Sequence, residues 1–363
     1  MKPSGLKILD RYIIRKFIGT YFYAIILIIS IAVIFDLAEK IDDFMEKQAP
    51  LRAIVFDYYL NFIPYFVNLF SALFTFIAVI FFTSRMAYNT EIVAILSSGV
   101  SFRRLMYPYF ISATFIAVLN LALNLFIIPP ANRVKIDFEN LYVKNQYVNV
   151  NQDIHRQIMP GTFLYMQSFS TNNQIAYKFS LETFKDGKLS SKLISDYARW
   201  DTVKNKWTIY NYYQRNISDS GEKITSGWEK DTILNVTGKD FSRSSSEIEA
   251  MNYFELNKYI KSQKLQGADN MEEIYVEKYR RFADPFSTFI LTLIGVSLSS
   301  RKVRGGIGLH IGVGLGISFS YILFMRFSMM FAIGGMLNPL VAVWIPNVLF
   351  LAIGLVLYRL APK

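Results

Sequence analysis

The chain has 363 residues, of which 52% are hydrophobic, 16% aromatic and only 18% charged. The apolar residues come in long runs, which argues against an ordinary soluble domain and for a membrane protein. With no cysteine, disulfides and Cys-ligated zinc are excluded; His155 and His310 have no acidic partner at motif spacing, which speaks against a histidine-based metal site or triad.

The net charge is +11, yet residues 129–280 are near neutral, with 21 Lys/Arg against 19 Asp/Glu. The excess clusters beside apolar runs, a pattern of membrane orientation rather than of a nucleic-acid partner. Residues 1–16 carry Lys2, Lys7, Arg11, Arg15 and Lys16, and the apolar run 17–35 follows. The sequence Phe35-Asp36-Leu37-Ala38-Glu39 is a poor cleavage context, so this run reads as an uncleaved first span rather than a signal peptide. An acid-rich extension (Asp36, Glu39, Asp42, Asp43, Glu46) carries the helix onward until Pro50 breaks it. The second span is expected over 56–84, kinked at Pro64.

Residues 85–105 are polar at both ends and predict a short helix over 90–98. Asn89 or Thr90 offers an N-cap oxygen, Glu91 sits in the first turn, and Gly99 is placed to end it. Ile92, Ile95, Leu96, Gly99 and Val100 form one apolar stripe, bracketed by Arg85, Arg103 and Arg104. Two readings stand: a helix that docks into a groove of a soluble partner, or one that lies on the membrane surface. The third span is expected over 106–128, ended by Pro129-Pro130.

Hydropathy then falls and period-2 segments appear at 162–168, 175–184 and 207–217, with turns at Asp186-Gly187 and 203–206. They predict a β-sandwich or jelly-roll-like domain over 129–250. A return linker over 251–281 holds a helix at 253–265 before Gly267, then a polar helix. Spans four to six follow at 282–299, 307–330 and 340–358, within a membrane segment of 282–363. A loop with Arg301, Lys302 and Arg304 separates the first two of these. Gly308, Gly312 and Gly316 form a stripe on span five suited to close helix packing. The architecture is three spans (1–128), an inserted β domain, and three spans. Counting Lys and Arg places both termini in the cytoplasm and the β domain outside it.

There is no P-loop, HExxH or GxSxG motif, so the chain reads as a non-enzyme. Asp36 and Glu39 could be imagined as a carboxylate pair, but acids at the membrane boundary are usually solvated. His310 reads as structural. Arg326 lies inside an apolar span, where an unpaired charge costs roughly 3 kcal/mol. It must meet a partner such as Asp284, snorkel, or contact an anionic ligand.

In order and layout the chain resembles the LptF/LptG (YjgP/YjgQ) permeases of the lipopolysaccharide export ABC transporter. The resemblance rests on Leu9-Asp-Arg-Tyr-Ile13, on Asn89-Thr-Glu-Ile-Val93 through Ser98-Gly99, on Arg304-Gly-Gly306, and on Pro339 with Trp344-Ile-Pro-Asn347. The Leu9-Asp-Arg-Tyr start leans to the G-type. The resemblance implies an inner-membrane permease paired with a second LptF/LptG-type permease. A dimeric LptB-type ATPase would drive the pair, holding the ATP and Mg that this chain itself does not need. It also implies LptC- and LptA-type periplasmic partners and lipopolysaccharide entry between spans one and five. On this chain, Glu91, Ile92, Ile95 and Leu96, with Gly99 behind them, would seat in the ATPase groove. Gly308, Gly312 and Gly316 would lie at the lateral gate, and the inner face of the β domain would hold acyl chains. The acidic outer end of span one departs from the basic residues expected there. Candidate lipid-phosphate contacts are then Lys40 within that end and, elsewhere, Arg133, Arg280, Arg281 and Arg326, or the partner permease supplies them, or the lipid is less phosphorylated. Two alternatives are a membrane subunit of another ABC-type lipid or lipoprotein release system, and a non-transporting scaffold with a periplasmic β domain.

Overall fold

The computed structural model describes residues 6–143, 153–218, 221–242, 245–267, 271–301 and 306–361. Lys2, Lys302, Arg304, Gly305 and Lys363, named above, lie outside the described residues. The chain divides into two compact units, one of Met1–Phe138 with Glu272–Lys363 and one of Glu139–Met271. Six helices are long and apolar enough to cross a membrane, and an antiparallel sheet is inserted between the third and fourth.

The first unit opens with α1 (Ile8–Glu46), one helix of 39 residues whose sequence holds a single glycine and no proline. The Asp10 carboxylate accepts from the Lys7 backbone N–H at 2.9 Å, which satisfies one otherwise unpaired donor of the first turn. The helix stops where Gln48 turns to φ +51 ahead of Pro50.

The second span is built in pieces: α2 (Leu51–Ala53), a π-helical turn (Ile54–Tyr59), α3 (Leu60–Leu69) and α4 (Ser71–Tyr88). The expected interruption at Pro64 falls instead at Phe70, where the backbone reaches φ −103, ψ 8. Pro64 is absorbed because the π turn ahead of it shifts the hydrogen-bond register. The Asn61 amide also donates to the carbonyls of Phe56 and Asp57, at 2.9 and 3.0 Å.

A short α5 (Glu91–Ser97) leads to α6 (Phe102–Ala122), a second π turn (Leu123–Ile127) and α7 (Ile128–Tyr142). The expected stop at Pro129-Pro130 does not occur. The helix runs on through both prolines, because the π turn just before them shifts the hydrogen-bond register.

In the second unit the strands are β1 (Ile154–Met159), β2 (Thr162–Met166), β3 (Ser168–Ser170), β4 (Ile175–Tyr177), β5 (Ser180–Lys185), β6 (Lys188–Asp201), β7 (Lys206–Ser218) and β8 (Gly221–Thr232). They form one antiparallel sheet in the order β1-β2-β5-β6-β4-β3, with β7 between β6 and β8. The Asp186-Gly187 turn has both residues at positive φ, as a two-residue hairpin requires. The predicted strand 175–184 is broken at Lys178, φ +52, so β4 and β5 share one edge of β6 in succession. Phe169, Phe179, Trp207 and Ile209 fill the core, and the Trp207 indole N–H donates to the Val236 carbonyl at 2.8 Å. Helices α8 (Gly238–Ser242), α9 (Ser245–Glu249) and α10 (Tyr253–Gln266) follow. Asn252 and Glu255 cap α10 reciprocally, and Gly267 at φ +63 ends it. This helix belongs to the compact second unit, whereas the sequence placed it in a return linker.

The chain re-enters the first unit through α11 (Met271–Ser299), α12 (Gly306–Ile333) and α13 (Pro339–Leu360). Close approach here depends on glycines outside the predicted stripe. A Cβ on Gly295 would stand 2.7 Å from Val79 Cγ1 and 3.3 Å from Phe76. A Cβ on Gly308, Gly312 or Gly316 would meet nothing within 4 Å.

Gly295→Ala therefore crowds a stiff β-branched neighbour and is expected to lower stability by about 1–3 kcal/mol. Gly312→Ala, with open space at its Cβ, should leave stability unchanged or raise it by up to about 1 kcal/mol. Thermal unfolding of both variants in detergent checks the contrast.

Candidate functional site

α5 has only seven residues, so its position is set by contacts rather than by helix propensity. Gly99 at φ +85 ends it as expected. Its start differs from expectation: Thr90 adopts φ +64, and neither it nor Asn89 caps the helix through a side-chain oxygen. The Thr90 carbonyl accepts from Ala94 N–H at 2.9 Å, while Asn89 reaches the Glu91 carboxylate at 3.4 Å.

The predicted stripe exists but points inward. Ile92 is 1% exposed within the helical core, and Ile95 and Leu96 are half-buried against it. The residues turned outward are Val93, 54% exposed, with Ala94 and Ser97. Of the residues expected to face a partner's groove, Ile92 is taken up by this chain's own core, whereas Ile95 and Leu96 keep part of their surface outside it. The apolar stripe beside an apolar bundle buries Ile92 there, and the outward face is left to Val93, Ala94 and Ser97.

Glu91 is tied to the first span. The Tyr12 hydroxyl donates to its carboxylate at 3.2 Å. Beside it, Arg104 at the start of α6 makes a two-pronged contact with Asp10, Nη1 to Oδ1 and Nη2 to Oδ2, both at 2.7 Å. The Asp10 side chain is 2% exposed and Arg104 37%. Such fork geometry is the strongest form of ion pair between side chains. It fixes the start of α1 against the start of α6, with α5 between them in sequence. Asp10 and Tyr12 entered the sequence reading only within the motif Leu9-Asp-Arg-Tyr-Ile13, with no site role given to either. The available signal was an acid lodged among Lys7, Arg11 and Arg15 at the head of an apolar run.

The candidate phosphate contacts fare differently from one another. Lys40 is held within the chain, 2.5 Å from Asp36 and against the Tyr58 hydroxyl. Arg280 and Arg281 share one acid: Glu277 accepts from Arg280 Nη2 at 2.7 Å and from Arg281 Nε at 3.0 Å, and Arg281 is 3% exposed. Arg133 is exposed on α7. Arg326 is also exposed and makes no ion pair among the described residues. It lines a cavity of about 190 Å³ together with Arg280, Asp284, Ser287 and Tyr321. The suggested Arg326–Asp284 partnership is thus a shared cavity and not a direct bridge. His310 is buried, with Nδ1 2.9 Å from the Ser84 hydroxyl, a helix-to-helix contact.

In the β domain a cavity of about 740 Å³ is lined by Phe163, Phe179 and Ile194 but also by Lys178, Lys192 and Glu182. Its wall is mixed where an apolar inner face was expected. At its rim Tyr165 donates to Asp153 at 2.7 Å, and that carboxylate raises the phenol above its ordinary value. Among the described residues no cluster of three or more His, Cys, Asp and Glu side chains could hold a metal ion.

Removing Arg104 would leave the buried Asp10 carboxylate unpaired. Arg104→Gln is expected to destabilise the helical unit by about 2–3 kcal/mol, the low end for breaking a buried pair because Arg104 is partly exposed. Arg104→Lys should recover only part of this, since an ammonium cannot engage both oxygens at once. Thermal unfolding of the two variants, with Asp10→Asn beside Arg104→Gln to close the cycle, measures the coupling.

A comparison with curated proteins returned no match. The family described as lipopolysaccharide export system permease LptF/LptG matches residues 11–360, nearly the whole chain, from the first turns of α1 to the end of α13. With six apolar helices, a β domain inserted between the third and fourth, and a match of this extent, the chain belongs to the LptF/LptG family of lipopolysaccharide export permeases.

Proposed function

We propose that this permease is one transmembrane subunit of an ATP-driven complex that extracts lipopolysaccharide from the outer leaflet of the inner membrane. The lipid would then pass to a periplasmic bridge. The observation that carries the reading is the joint between α5 and α1. The Tyr12–Glu91 bond connects an exposed interhelical helix to the long first span, and Asp10–Arg104 ties that span to α6 just beyond it, so force applied to α5 is delivered to α1. The chain carries no nucleotide motif, and hydrolysis of ATP belongs to a separate dimeric LptB-type ATPase holding ATP and Mg.

Basic residues support an orientation with both termini and α5 in the cytoplasm and the β domain in the periplasm: Arg11, Arg15, Lys16, Arg85, Arg103, Arg104, Arg301 and Arg359 all flank the same ends of the spans. A second LptF/LptG-type permease completes the cavity. The face of α12 bearing Gly308, Gly312 and Gly316 is open within this chain and suits a lateral gate. LptC- and LptA-type proteins would receive the lipid from the β domain. Of the candidate cations, Arg326 is the one best placed to meet a lipid phosphate. Lys40, Arg280 and Arg281 already neutralise acids of this chain.

Native mass spectrometry of the tagged protein, extracted in mild detergent, is expected to show a second permease and two copies of an ATPase. Glu91→Lys should lose the ATPase while the permease pair and its thermal stability persist. An intact ATPase complex in the Glu91→Lys variant would overturn the role given to α5.

A further inference from the structure

A second cavity opens on a different side of the helical unit. It measures about 500 Å³ and is walled by α6, α11 and α13. Leu293 lies at its base, Phe110 and Phe289 are half-buried in its walls, and Leu355 is exposed at its rim. These residues sit near the start of α6, in the second half of α11 and near the end of α13. At about 1.5 Å per residue, the slot lies within roughly 15 Å of the end of the bundle that carries α5. That is one leaflet of a hydrocarbon core about 30 Å thick.

Polarity is confined to the mouth. Arg103 stands there, exposed, with the Tyr358 ring, and no carboxylate lines the slot. Neighbouring arginines divide the work: Arg104 is committed to Asp10, whereas Arg103 makes no ion pair among the described residues. A soluble ligand would find apolar walls and almost nothing to bond with. A lipid tail matches the walls, and its headgroup would lie at the depth to which an arginine snorkels. Guanidinium engages phosphate oxygens in pairs, and basic pockets between membrane helices on the cytoplasmic side select anionic headgroups.

We infer that the slot between α6, α11 and α13 binds one anionic glycerophospholipid, with an acyl chain against Leu293 and Phe289 and the phosphate on Arg103. Assignment to the cytoplasmic leaflet rests on the orientation proposed above; binding itself does not. The site is separate from the cavity at Arg326.

The test uses the full chain, delipidated in detergent and titrated with phosphatidylglycerol or phosphatidylcholine, with bound lipids counted by native mass spectrometry. The wild-type chain should retain one phosphatidylglycerol in preference to phosphatidylcholine. Arg103→Gln should weaken that retention about fivefold, while Arg85→Gln, which removes a charge outside the slot, should not. Leu355→Trp, which narrows the slot and stays apolar, should also weaken it. Equal retention of the two lipids would overturn the headgroup assignment. Retention unaffected by Arg103→Gln, or weakened by Arg103→Gln but unchanged by Leu355→Trp, would overturn the slot as the seat. Because binding is read in detergent, these outcomes are independent of whether α5 meets an ATPase.

Discussion

The contact between Asp10 and Arg104 constrains the rest of the helical unit. A carboxylate buried at the head of a membrane helix requires a cation held in register, and Arg104 supplies it with two bonds of 2.7 Å. The pair pins span one to span three at one end of the bundle. α5 lies between the pinned elements in sequence, with Ile92 pressed into the core and Glu91 held by Tyr12. From this joint α1 runs unbroken for 39 residues, on the order of 60 Å of helix without a proline. A rod pinned at one end transmits motion at that end along its whole length. That is the mechanical content of the energy-coupling role proposed for α5.

Inside the bundle, order is kept by polar contacts and small residues, because lipid tails offer no hydrophobic force to drive helices together. The second span breaks at Phe70, and the break is bracketed by side chains that reach its neighbours. Tyr21 meets Ser71 at 3.0 Å, Asn120 donates to Ser71 at 2.6 Å, and Asn68 and Asn124 exchange amide bonds at 3.0 and 3.1 Å. Three spans are therefore joined at the point where one of them loses its own helix. On the far side, Gly295 and Gly354 admit the side chains of facing helices, and Tyr321 bonds Asn347 at 2.9 Å. The stripe of Gly308, Gly312 and Gly316 takes no part in this packing and remains open.

Much of the architecture was legible in the sequence because it depends on local, strongly patterned signals. Long apolar runs marked the spans, Asp186-Gly187 marked a hairpin, and Gly99 and Gly267 marked helix ends that need a left-handed residue. What escaped depends on events that a window of sequence does not hold. Two prolines at 129–130 read as a stop, yet a π turn just before them shifts the hydrogen-bond register and the helix continues through them. The stripe on α5 was visible, but its direction was decided by which apolar surface lay nearest, and that was the chain's own bundle. The basic residues Lys40, Arg280 and Arg281 read as candidate anion contacts; Asp36 and Glu277 occupy them, four or fewer positions away on the same helices. Family membership follows from the order and extent of the match and not from any one of these motifs.

The most direct test of the account is a cross-link from α5. The chain has no cysteine, so Ser98→Cys provides a single thiol at the exposed end of this helix. In inverted inner-membrane vesicles, a short thiol-to-amine cross-linker at that position is expected to capture an ATP-hydrolysing subunit, identified by mass spectrometry, and Glu91→Lys should abolish the adduct. A thiol that reacts only from the periplasmic side, or one that is accessible from the cytoplasm yet captures no ATPase, would contradict the account.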